Sequence, residues 1–425
     1  METEMMRISN QSRKYAKVEN LMCRVSAQTL MQQHKKQKAK KAVGVDHVDK
    51  AKYDENVAEN ISGLVRRMKH FQYKPLPVRR SYIDKGNGKQ RPLGIPAYED
   101  RLVQGAMANV LNQIYEERFL ECSYGFRPNR SAHDVVAYIN QVIMVKRVNY
   151  ILEADIRGFF DNVNHEWLMK FLEHDIADKR FLRYIKRFLI AGVMEGTEYH
   201  DSDKGTPQGG LISPILANVY LHYSLDLWVR YVKPMLKGEV YYARYADDFI
   251  IMFQYKEDAY KVLKALEQRL AKFSLELAMD KTRITPFGRY AKTKTEFDFL
   301  GFTFYNTKTR GGKYRVGIRS SKKKIKQKRK KAKEWLRGRL NKDVSETMTK
   351  LRVSLIGHYN YYGVNGNYFQ MKSFYNYLRY ITYKMLCRRS QKAHMTWEKF
   401  QRIWEYHIPK PCITKNIWNW NVKIT

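Results

Sequence analysis

The sequence has few cysteines and no long apolar run. Its four cysteines are scattered and none forms a CxxC pair, so the sequence predicts neither a disulfide framework nor a cysteine zinc site. No apolar stretch approaches the roughly 20 residues that cross a bilayer, and the opening METEMMRISNQSRK lacks the apolar core of a secretory signal. We therefore expect neither membrane insertion nor secretion.

Acidic residues are also scarce relative to basic ones. The chain has 42 Asp plus Glu against 79 Lys plus Arg, which gives a formal net charge of +37. Such an excess attracts polyanions, and contacts with phosphates would make the binding salt-sensitive. An anionic membrane surface is the alternative, but no long helix with a basic face opposite an apolar face is evident. The composition therefore favours a nucleic acid partner.

Apolar and aromatic residues are abundant enough to build substantial cores. They make up 44% and 13% of the 425 residues, which is typical of a folded protein and predicts two or three compact units. Helical and strand patterns interleave without a regular βα repeat, so we expect an α+β core. From Asn306 to Asn341 the chain has 16 Lys and Arg but one acid, and helical spacing follows. A basic helical unit is expected after the mixed core.

Three short patterns predict local structure. Two strand-like runs flank a turn at Gly86–Gly88, which indicates a hairpin. Ser131 and Asp134 have the spacing of a capping box before an apolar helical pattern. Asn164 precedes the helical pattern HEWLMKFLEH and is a plausible N-cap.

The stretch RYADDFIIM places Asp247 and Asp248 together at a turn between strand-like runs. Adjacent acids in a turn are common and usually have no function. Asp155, however, ends another apolar strand, YILEA, and the three carboxylates would converge if this strand lay beside the hairpin. Their repulsion would be costly unless divalent cations filled the site. Magnesium is the natural choice for hard oxygen ligands that leave room for substrate phosphates.

Seven motifs around these acids resemble those of bacterial group II intron reverse transcriptases. They run in family order between residues 42 and 305: GKQRPLGIPAYEDRLVQ, SYGFRPNRSAHD, ADIRGFFDNVNH, GTPQGGLISPILAN, YARYADDFIIM, LELAMDKTRI and FLGFTF. The resemblance implies a right-hand polymerase of class α+β, with an antiparallel sheet and helices in the fingers and palm. The implied divisions are an N-terminal extension (1–50), fingers and palm (51–305), a basic helical thumb (306–375) and a C-terminal maturase-like region (376–425).

The resemblance also implies the catalytic residues. Asp155, Asp247 and Asp248, with the backbone carbonyl of Ile156, match the ligands of two Mg²⁺ ions, for which Mn²⁺ is a possible substitute. Lys281 matches a lysine near the pyrophosphate and is a candidate proton donor to the leaving group. An exposed lysine after a helix is also ordinary, so the residue type alone does not assign that role.

Other matched residues are implied to bind the incoming nucleotide. Lys85 and Arg91 match fingers residues that clamp the triphosphate, although solvated surface cations would be the expectation without the motifs. Gln208 matches a nucleotide contact, and the two glycines after it permit close backbone approach. Phe160 matches the side chain beneath the sugar, where a phenyl ring excludes a ribose 2′-OH and favours DNA as the product.

Two further surfaces are implied to hold nucleic acid. Phe299, Leu300, Gly301 and Phe302 match the primer grip, and a buried aromatic strand is the compatible structural alternative. The basic run in the thumb is either a solvated helix face or a surface that follows the nucleic acid backbone. Its residues are Lys322, Lys323, Lys324, Lys326, Lys328, Arg329, Lys330 and Lys331, and the adjoining aromatics Trp335, Tyr359, Tyr361 and Tyr362 favour base stacking.

The N-terminal basic run, with Gly44-Val45-Asp46, matches an extension that touches template or intron RNA in relatives. His133, His165 and His358 are expected to be packing or capping residues. Nothing after Pro411 resembles the DNA endonuclease that some relatives append.

The sequence therefore predicts an RNA-directed DNA polymerase that uses an RNA template, a DNA or RNA primer and dNTPs. Binding of group II intron RNA to assist splicing and mobility is expected, in the bacterial cytosol or nucleoid. One alternative is a domesticated stand-alone relative in repair, phage defence or spacer acquisition. Another is an RNA-binding splicing cofactor with vestigial polymerase activity, against which the intact acids argue. The sequence gives no indication of oligomeric state.

Overall fold

The structure is a computed structural model that describes residues 2–84, 90–201, 203–206, 209–291, 293–389 and 395–424. Helices and strands interleave irregularly along these residues. The helices are α1 (Glu2–Lys14), α2 (Ala27–Lys36), α3 (Lys50–Asp54), α4 (Val57–Lys69), α5 (Tyr98–Tyr115), α6 (Ala132–Val145), α7 (Phe159–Asn162), α8 (His165–Asp175), α9 (Lys179–Leu189), α10 (Ser213–Leu221), α11 (Leu227–Val232), α12 (Lys256–Lys272), α13 (Lys322–Arg337), α14 (Val344–Tyr362), α15 (Tyr368–Cys387) and α16 (Trp397–His407).

The strands form separate sheets, so the predicted α+β class is confirmed. A central antiparallel sheet has the order β6-β7-β3-β8, a second has the order β2-β1-β4-β5, and a third has the order β11-β10-β9. The strands are β1 (Val78–Asp84), β2 (Gln90–Ile95), β3 (Tyr150–Ala154), β4 (Val193–Glu195), β5 (Glu198–His200), β6 (Val240–Tyr245), β7 (Asp248–Phe253), β8 (Arg283–Pro286), β9 (Glu296–Phe299), β10 (Phe302–Lys308) and β11 (Tyr314–Ser320).

The central sheet is buried on both faces. Successive side chains of a strand point to opposite faces, so Ile151 and Leu152 of β3 enter different cores. Leu152 and Ile251 pack with helices α5, α8, α9, α10 and α12. Ile151 and Ile250 pack with α6, the third sheet and the C-terminal helices. The sheet is therefore held rigidly from both sides.

The C-terminal segment 409–424 returns to the central part of the fold. Trp420 donates an indole hydrogen bond to Asp134 Oδ1 on α6 at 2.7 Å, and Gln141 of α6 donates to the Trp420 carbonyl. The Arg315 guanidinium of β11 lies 3.5 Å from the centre of the Trp418 ring. This segment thereby joins α6 to the third sheet.

Most of the local predictions are confirmed. Ser131 and Asp134 form the capping box of α6, and the Asn164 side chain caps α8 by accepting from the Trp167 amide. Strands β1 and β2 pair as a hairpin, although its turn at residues 86–88 lies outside the described residues.

The three histidines have structural surroundings, as expected. His133 is hydrogen-bonded to the Tyr361 carbonyl at 2.8 Å and His165 to the Gly205 carbonyl at 2.6 Å, while His358 is 3% exposed.

No helix among the described residues is long and apolar enough to cross a membrane.

The expectation of a helical region over residues 306–375 is wrong for residues 306–320. Strand β10 continues to Lys308, and β11 pairs with it along its full length. In β11 the buried Val316 and Ile318 alternate with Arg315 and with the partly exposed Arg319. The high density of basic residues obscured this two-residue alternation, which is the pattern of a half-buried strand.

The buried His358 makes the stability of the fold depend on pH. Its Nδ1 accepts from Lys328 Nζ at 3.0 Å, and burial together with the Lys328 charge lowers the His358 pKa to about 3. Below pH about 6.5, the unfolded chain binds a proton that the folded chain excludes, so the free energy of unfolding falls as pH decreases.

We predict that His358→Gln makes denaturant stability less steeply dependent on pH between about 6.5 and 4, because one linked proton is removed. His358 itself contributes a loss of about 1.4 kcal/mol per pH unit. The exposed His70→Gln is the control and should leave the wild-type slope unchanged. An unchanged slope in His358→Gln would contradict the assignment.

Candidate active site

The adjacent acids lie at the tight turn between β6 and β7. Tyr245 pairs with Asp248, so Ala246 and Asp247 are the two central residues of the turn. Ala246 has φ +56°, a left-handed conformation that costs a residue with a Cβ roughly 1–2 kcal/mol. The surroundings must therefore hold the turn in place.

Asp155 lies beside these acids because β3 pairs with β7. Ala154 is opposite Phe249 in this antiparallel ladder, so the next step of the register brings Asp155 level with Asp248. On the other side of β3, the Asp155 carbonyl accepts from the Ala278 amide at 2.8 Å, in the segment that precedes β8. The condition for convergence, a strand beside the hairpin, is confirmed.

The electrostatics of the three acids are coupled. Burial and then the charge of Asp155 raise the pKa of Asp247. The Asp248 side chain is exposed to solvent on one side, but the protein around it displaces enough water to raise its pKa to about 6. The negative charges of Asp247 and Asp155 raise this pKa further. Positive charges oppose these shifts, from Arg91 at Asp247 and from Lys281 and Lys324 at Asp248.

The donor set suits a divalent cation. Carboxylates are the hard oxygen ligands that Mg²⁺ prefers, and a cation would relieve the mutual repulsion of these acids. Among the described residues no three acidic, histidine or cysteine side chains already stand in a ligating arrangement. Instead, the Lys281 ammonium is hydrogen-bonded to Asp155 Oδ2 and acts as its counter-ion.

Ile156 has the backbone geometry of a possible additional ligand. It forms an antiparallel bridge with Leu277, in which the flanking Arg157 amide and Asp155 carbonyl make the hydrogen bonds. The Ile156 carbonyl is not used by this bridge and points to the other side of the segment.

The predicted nucleotide-binding residues are only partly described. Lys85 and Gln208 lie outside the described residues. Arg91 is exposed on β2, and its charge reaches Asp247. Phe160 is half-buried in α7, with its carbonyl fixed by the Thr206 amide at 2.7 Å.

The predicted close backbone approach at Gly209 is made by the protein itself, by the backbone of Gly94 on β2. Gly209 has φ +122°, and a Cβ there would lie 2.4 Å from the Gly94 carbonyl oxygen on β2. Glycine is therefore required for this segment to pack against the hairpin that carries Arg91.

The predicted primer grip forms the turn between β9 and β10. Leu300 and Gly301 have φ +49° and +79°, and Tyr361 donates to the Leu300 carbonyl at 2.8 Å. Phe299 and Phe302 are 6% and 0% exposed, so they are core residues, and the turn alone is available to a ligand. A cavity of about 590 Å³ connects this turn to Asp248 and is also lined by Lys324 and Tyr361.

The basic run forms α13, which borders the same cavity. Lys328 and Arg329 are half-buried: Lys328 lies 4.7 Å from the centre of the Tyr362 ring, and Arg329 donates to Ser373 Oγ at 2.9 Å. These two cations pack the helix against its neighbours. The exposed cations of the predicted set are Lys322, Lys323, Lys324, Lys326, Lys330 and Lys331.

The predicted stacking surface beside α13 is partly wrong. Tyr359 and Tyr362 are 2% and 5% exposed, because both belong to the core that joins α14 to the third sheet. Trp335, at 36% exposed, and the partly exposed Tyr361 remain accessible.

In the N-terminal motif Gly44-Val45-Asp46, the Asp46 carboxylate accepts from the Tyr98 amide at 2.8 Å and so caps the start of α5.

Sequence reasoning missed the buried guanidinium that holds the acid turn. Arg244 is completely buried, and its five N–H groups all have acceptors. Two reach the carboxylate of Asp226 at 2.7 and 2.6 Å. The others reach Asn218 Oδ1, the Ala246 carbonyl and Ser123 Oγ at 2.9, 3.0 and 2.7 Å. An arginine within an apolar strand was the available signal.

This network joins three of the sequence motifs. Asn218, from the motif SPILAN, also donates to the Gly125 carbonyl at 2.7 Å. Gly125, from SYGFRP, approaches the acid turn so closely that a Cβ there would lie 2.3 Å from the Ala246 amide nitrogen. The motifs therefore meet physically around one side chain of RYADD, and their packing supports the strained turn.

The chain is similar in sequence to a family of polymerases and to several known proteins. The family model for reverse transcriptase (RNA-dependent DNA polymerase) matches residues 83–304. Protein YkfC of Escherichia coli K12 is 32% identical in an alignment of 304 residues that covers 64% of this chain and 78% of YkfC. Group II intron-encoded protein LtrA of Lactococcus lactis is 43% identical over 176 residues, which are 41% of this chain but 29% of LtrA.

A more distant relative is the mitochondrial nuclear intron maturase 2 of Arabidopsis thaliana. It is 30% identical over 109 residues, which are 25% of this chain and 14% of that protein. The chain thus spans most of YkfC but less than a third of LtrA and of this maturase.

We predict that Arg244→Lys lowers the free energy of unfolding by roughly 2–4 kcal/mol, because lysine keeps the charge but has too few donors and leaves buried acceptors unsatisfied. Denaturant unfolding is the measurement. Arg13→Lys is the control: Arg13 makes a similar two-point contact with Glu117 at the surface, and this change should leave stability at the wild-type value. Equal stability of the two variants would contradict the role of the network.

Proposed function

This chain belongs to the reverse transcriptase (RNA-dependent DNA polymerase) family, and we propose that it extends a DNA or RNA primer on an RNA template with dNTPs. Its enzyme class is that of an RNA-directed DNA polymerase, and the family implies a right-hand polymerase fold. The main supporting observation is that Asp155, Asp247 and Asp248 lie together where β3 meets the β6–β7 turn. We propose that residues 1–50 are an N-terminal extension, 51–305 the fingers and palm, 306–375 the thumb and 376–425 the maturase-like region. The first part of the proposed thumb, residues 306–320, contains strand and no helix.

Asp155, Asp247, Asp248 and the Ile156 carbonyl are the groups that would hold two Mg²⁺ ions, with Mn²⁺ as a possible substitute. When bound, such ions supply charge neutralisation at the reacting phosphates. The coupled carboxylate charges support this assignment, because they make the site costly without a counter-ion.

The chain's own cations would position the triphosphate. In the proposed reaction, the primer 3′-oxygen forms a bond to the α-phosphorus while the bond to the pyrophosphate oxygen breaks. The effect of the Arg91 charge on the Asp247 pKa supports a role for Arg91 in bringing positive charge to this region, and Lys85 and Gln208 are proposed to assist. Lys281 is proposed to give a proton to the leaving group. Its ammonium is protonated at neutral pH, and the hydrogen bond to Asp155 raises its pKa further, so the proton would be released only as negative charge develops on the leaving oxygen.

We further propose that the chain binds group II intron RNA and assists splicing and mobility. The names of LtrA and of the plant maturase support this role, and the exposed lysines of α13 provide a surface for RNA backbone.

We predict that Asp247→Asn reduces primer extension on an RNA template by at least a thousandfold while RNA binding stays near the wild-type level. The asparagine is similar in size but lacks the charge that a metal-assisted phosphoryl transfer requires. Glu267→Gln, on the exposed face of α12, removes one negative charge elsewhere and should extend normally. Undiminished synthesis by Asp247→Asn would refute the assignment, and tight RNA binding without synthesis by wild type would favour a splicing cofactor.

We also predict that Phe160→Ala increases ribonucleotide incorporation relative to deoxyribonucleotide incorporation by about tenfold or more. Removing the ring opens the space that a 2′-OH would occupy. Phe160→Tyr retains the ring and should retain the preference for dNTPs. Competition between dNTPs and rNTPs in single-nucleotide extension measures the ratio, and unchanged selectivity in Phe160→Ala would reject the role.

A further inference from the structure

Phe126 is an exposed aromatic residue in the loop between α5 and α6. Its side chain is 49% exposed and belongs to neither hydrophobic core. Its backbone has φ +59°, in the left-handed region that costs a bulky residue about 1–3 kcal/mol. Packing therefore does not explain why a large apolar ring stands at this exposed and strained position.

The loop that carries Phe126 contacts the acid turn through the residues just before it. Ser123 forms a parallel bridge with Arg244, the Tyr124 amide donates to the Arg244 carbonyl at 2.9 Å, and the Arg244 amide donates to the Cys122 carbonyl at 2.8 Å. Residues 122–125 therefore run alongside β6 as an additional edge segment. At the end of this segment Gly125 packs on the acid turn, where a Cβ would lie 2.3 Å from the Ala246 amide nitrogen, so Phe126 directly follows a residue in contact with that turn.

Both neighbours of Phe126 are locked. Gly125 is held by Asn218 and by the backbone of Ala246. Arg127 is 5% exposed, makes two hydrogen bonds to Glu116 at 3.0 and 2.8 Å, and donates to the Leu120 and Ser123 carbonyls. Burial of Arg127 leaves the preceding side chain on the surface. Phe126 is thus presented at a fixed position, and little conformational entropy would be lost when a ligand covers it.

The position of the Phe126 segment at the β6 edge of the central sheet indicates which part of the substrate would lie near Phe126. The segment 122–126 flanks β6, whereas Asp155 and the sugar-contacting candidate Phe160 follow β3, two strands away. The incoming nucleotide is assigned to the β3 side. If the incoming nucleotide lies on the β3 side, the duplex of template and primer would pass on the β6 side of Asp247, and its bases and sugars offer flat apolar surface to an aromatic ring.

We propose that Phe126 contacts the template–primer duplex beside the acid turn, packing on a base or sugar and holding the primer end in register. This assignment rests on the proposed polymerase function, which puts a duplex at Asp247. It predicts a selective effect: loss of the ring weakens the hold on the duplex and leaves the hold on dNTP unchanged.

The test compares Phe126→Ala and Phe126→Tyr with wild type in primer extension on RNA. At saturating dNTP, Phe126→Ala should raise the KM for template–primer at least fivefold, in keeping with aromatic stacking contributions, and should shorten products made in the presence of a trap. The KM for dNTP should stay within twofold of wild type. Phe126→Tyr keeps the ring and should behave as wild type.

The control is Tyr406→Ala, which removes an aromatic side chain that is 82% exposed on α16 and should change neither KM. Melting temperatures verify folding of each variant. An unchanged KM for template–primer in folded Phe126→Ala overturns the proposal, and so does a change confined to the KM for dNTP.

Equilibrium binding of a fluorescent RNA–DNA duplex separates this proposal from the polymerase assignment. If wild type makes no DNA, the proposed function fails. Weaker duplex binding by Phe126→Ala than by wild type and Tyr406→Ala would still support the contact. Equal binding by all three would overturn it.

Discussion

The buried pair of Arg244 and Asp226 is the interaction on which the candidate site depends. Removing two charges from water is costly, and the cost is offset only when geometry and hydrogen bonding are complete. Here every guanidinium N–H has an acceptor, and one of these acceptors is the carbonyl of Ala246 in the acid turn. The strained turn is therefore held by a group that cannot move without stranding a buried charge. A lysine could supply neither the fork geometry nor enough donors.

The two-faced burial of the central sheet gives this network its rigidity. Helices of the first core and the third sheet with the C-terminal helices cover opposite faces, so β3, β6 and β7 have little freedom to shift. The acids lie at the strand ends, where the backbone leaves the packed layers and reaches solvent. Phosphoryl transfer is catalysed chiefly by positioning and charge, so a site of this kind requires such a rigid support.

The acidic residues, the hairpins and two helix caps could be predicted from the sequence because each rests on local spacing. Asp155, Asp247 and Asp248 were found in this way, and pairing of β3 with β7 brings them together. Asp226 could not be found: it lies 18 residues before Arg244, in a π-helical turn within an apolar stretch, and nothing local indicates that they pair. Tyr359 and Tyr362 were misjudged because helical spacing alone does not show which aromatics the neighbouring sheet covers.

The contact of the C-terminal segment with α6 has a consequence for the order of folding. Trp420 and Asp134 are 286 residues apart in sequence, yet the indole completes the hydrogen bonding at the start of α6. On the ribosome, α6 and the strands around it emerge long before this partner is synthesised. The central layers must therefore wait with an incomplete surface during translation, at a rate of roughly 5–20 residues per second. Until residue 420 has been synthesised, the start of α6 and the third sheet present the surface that this segment later covers.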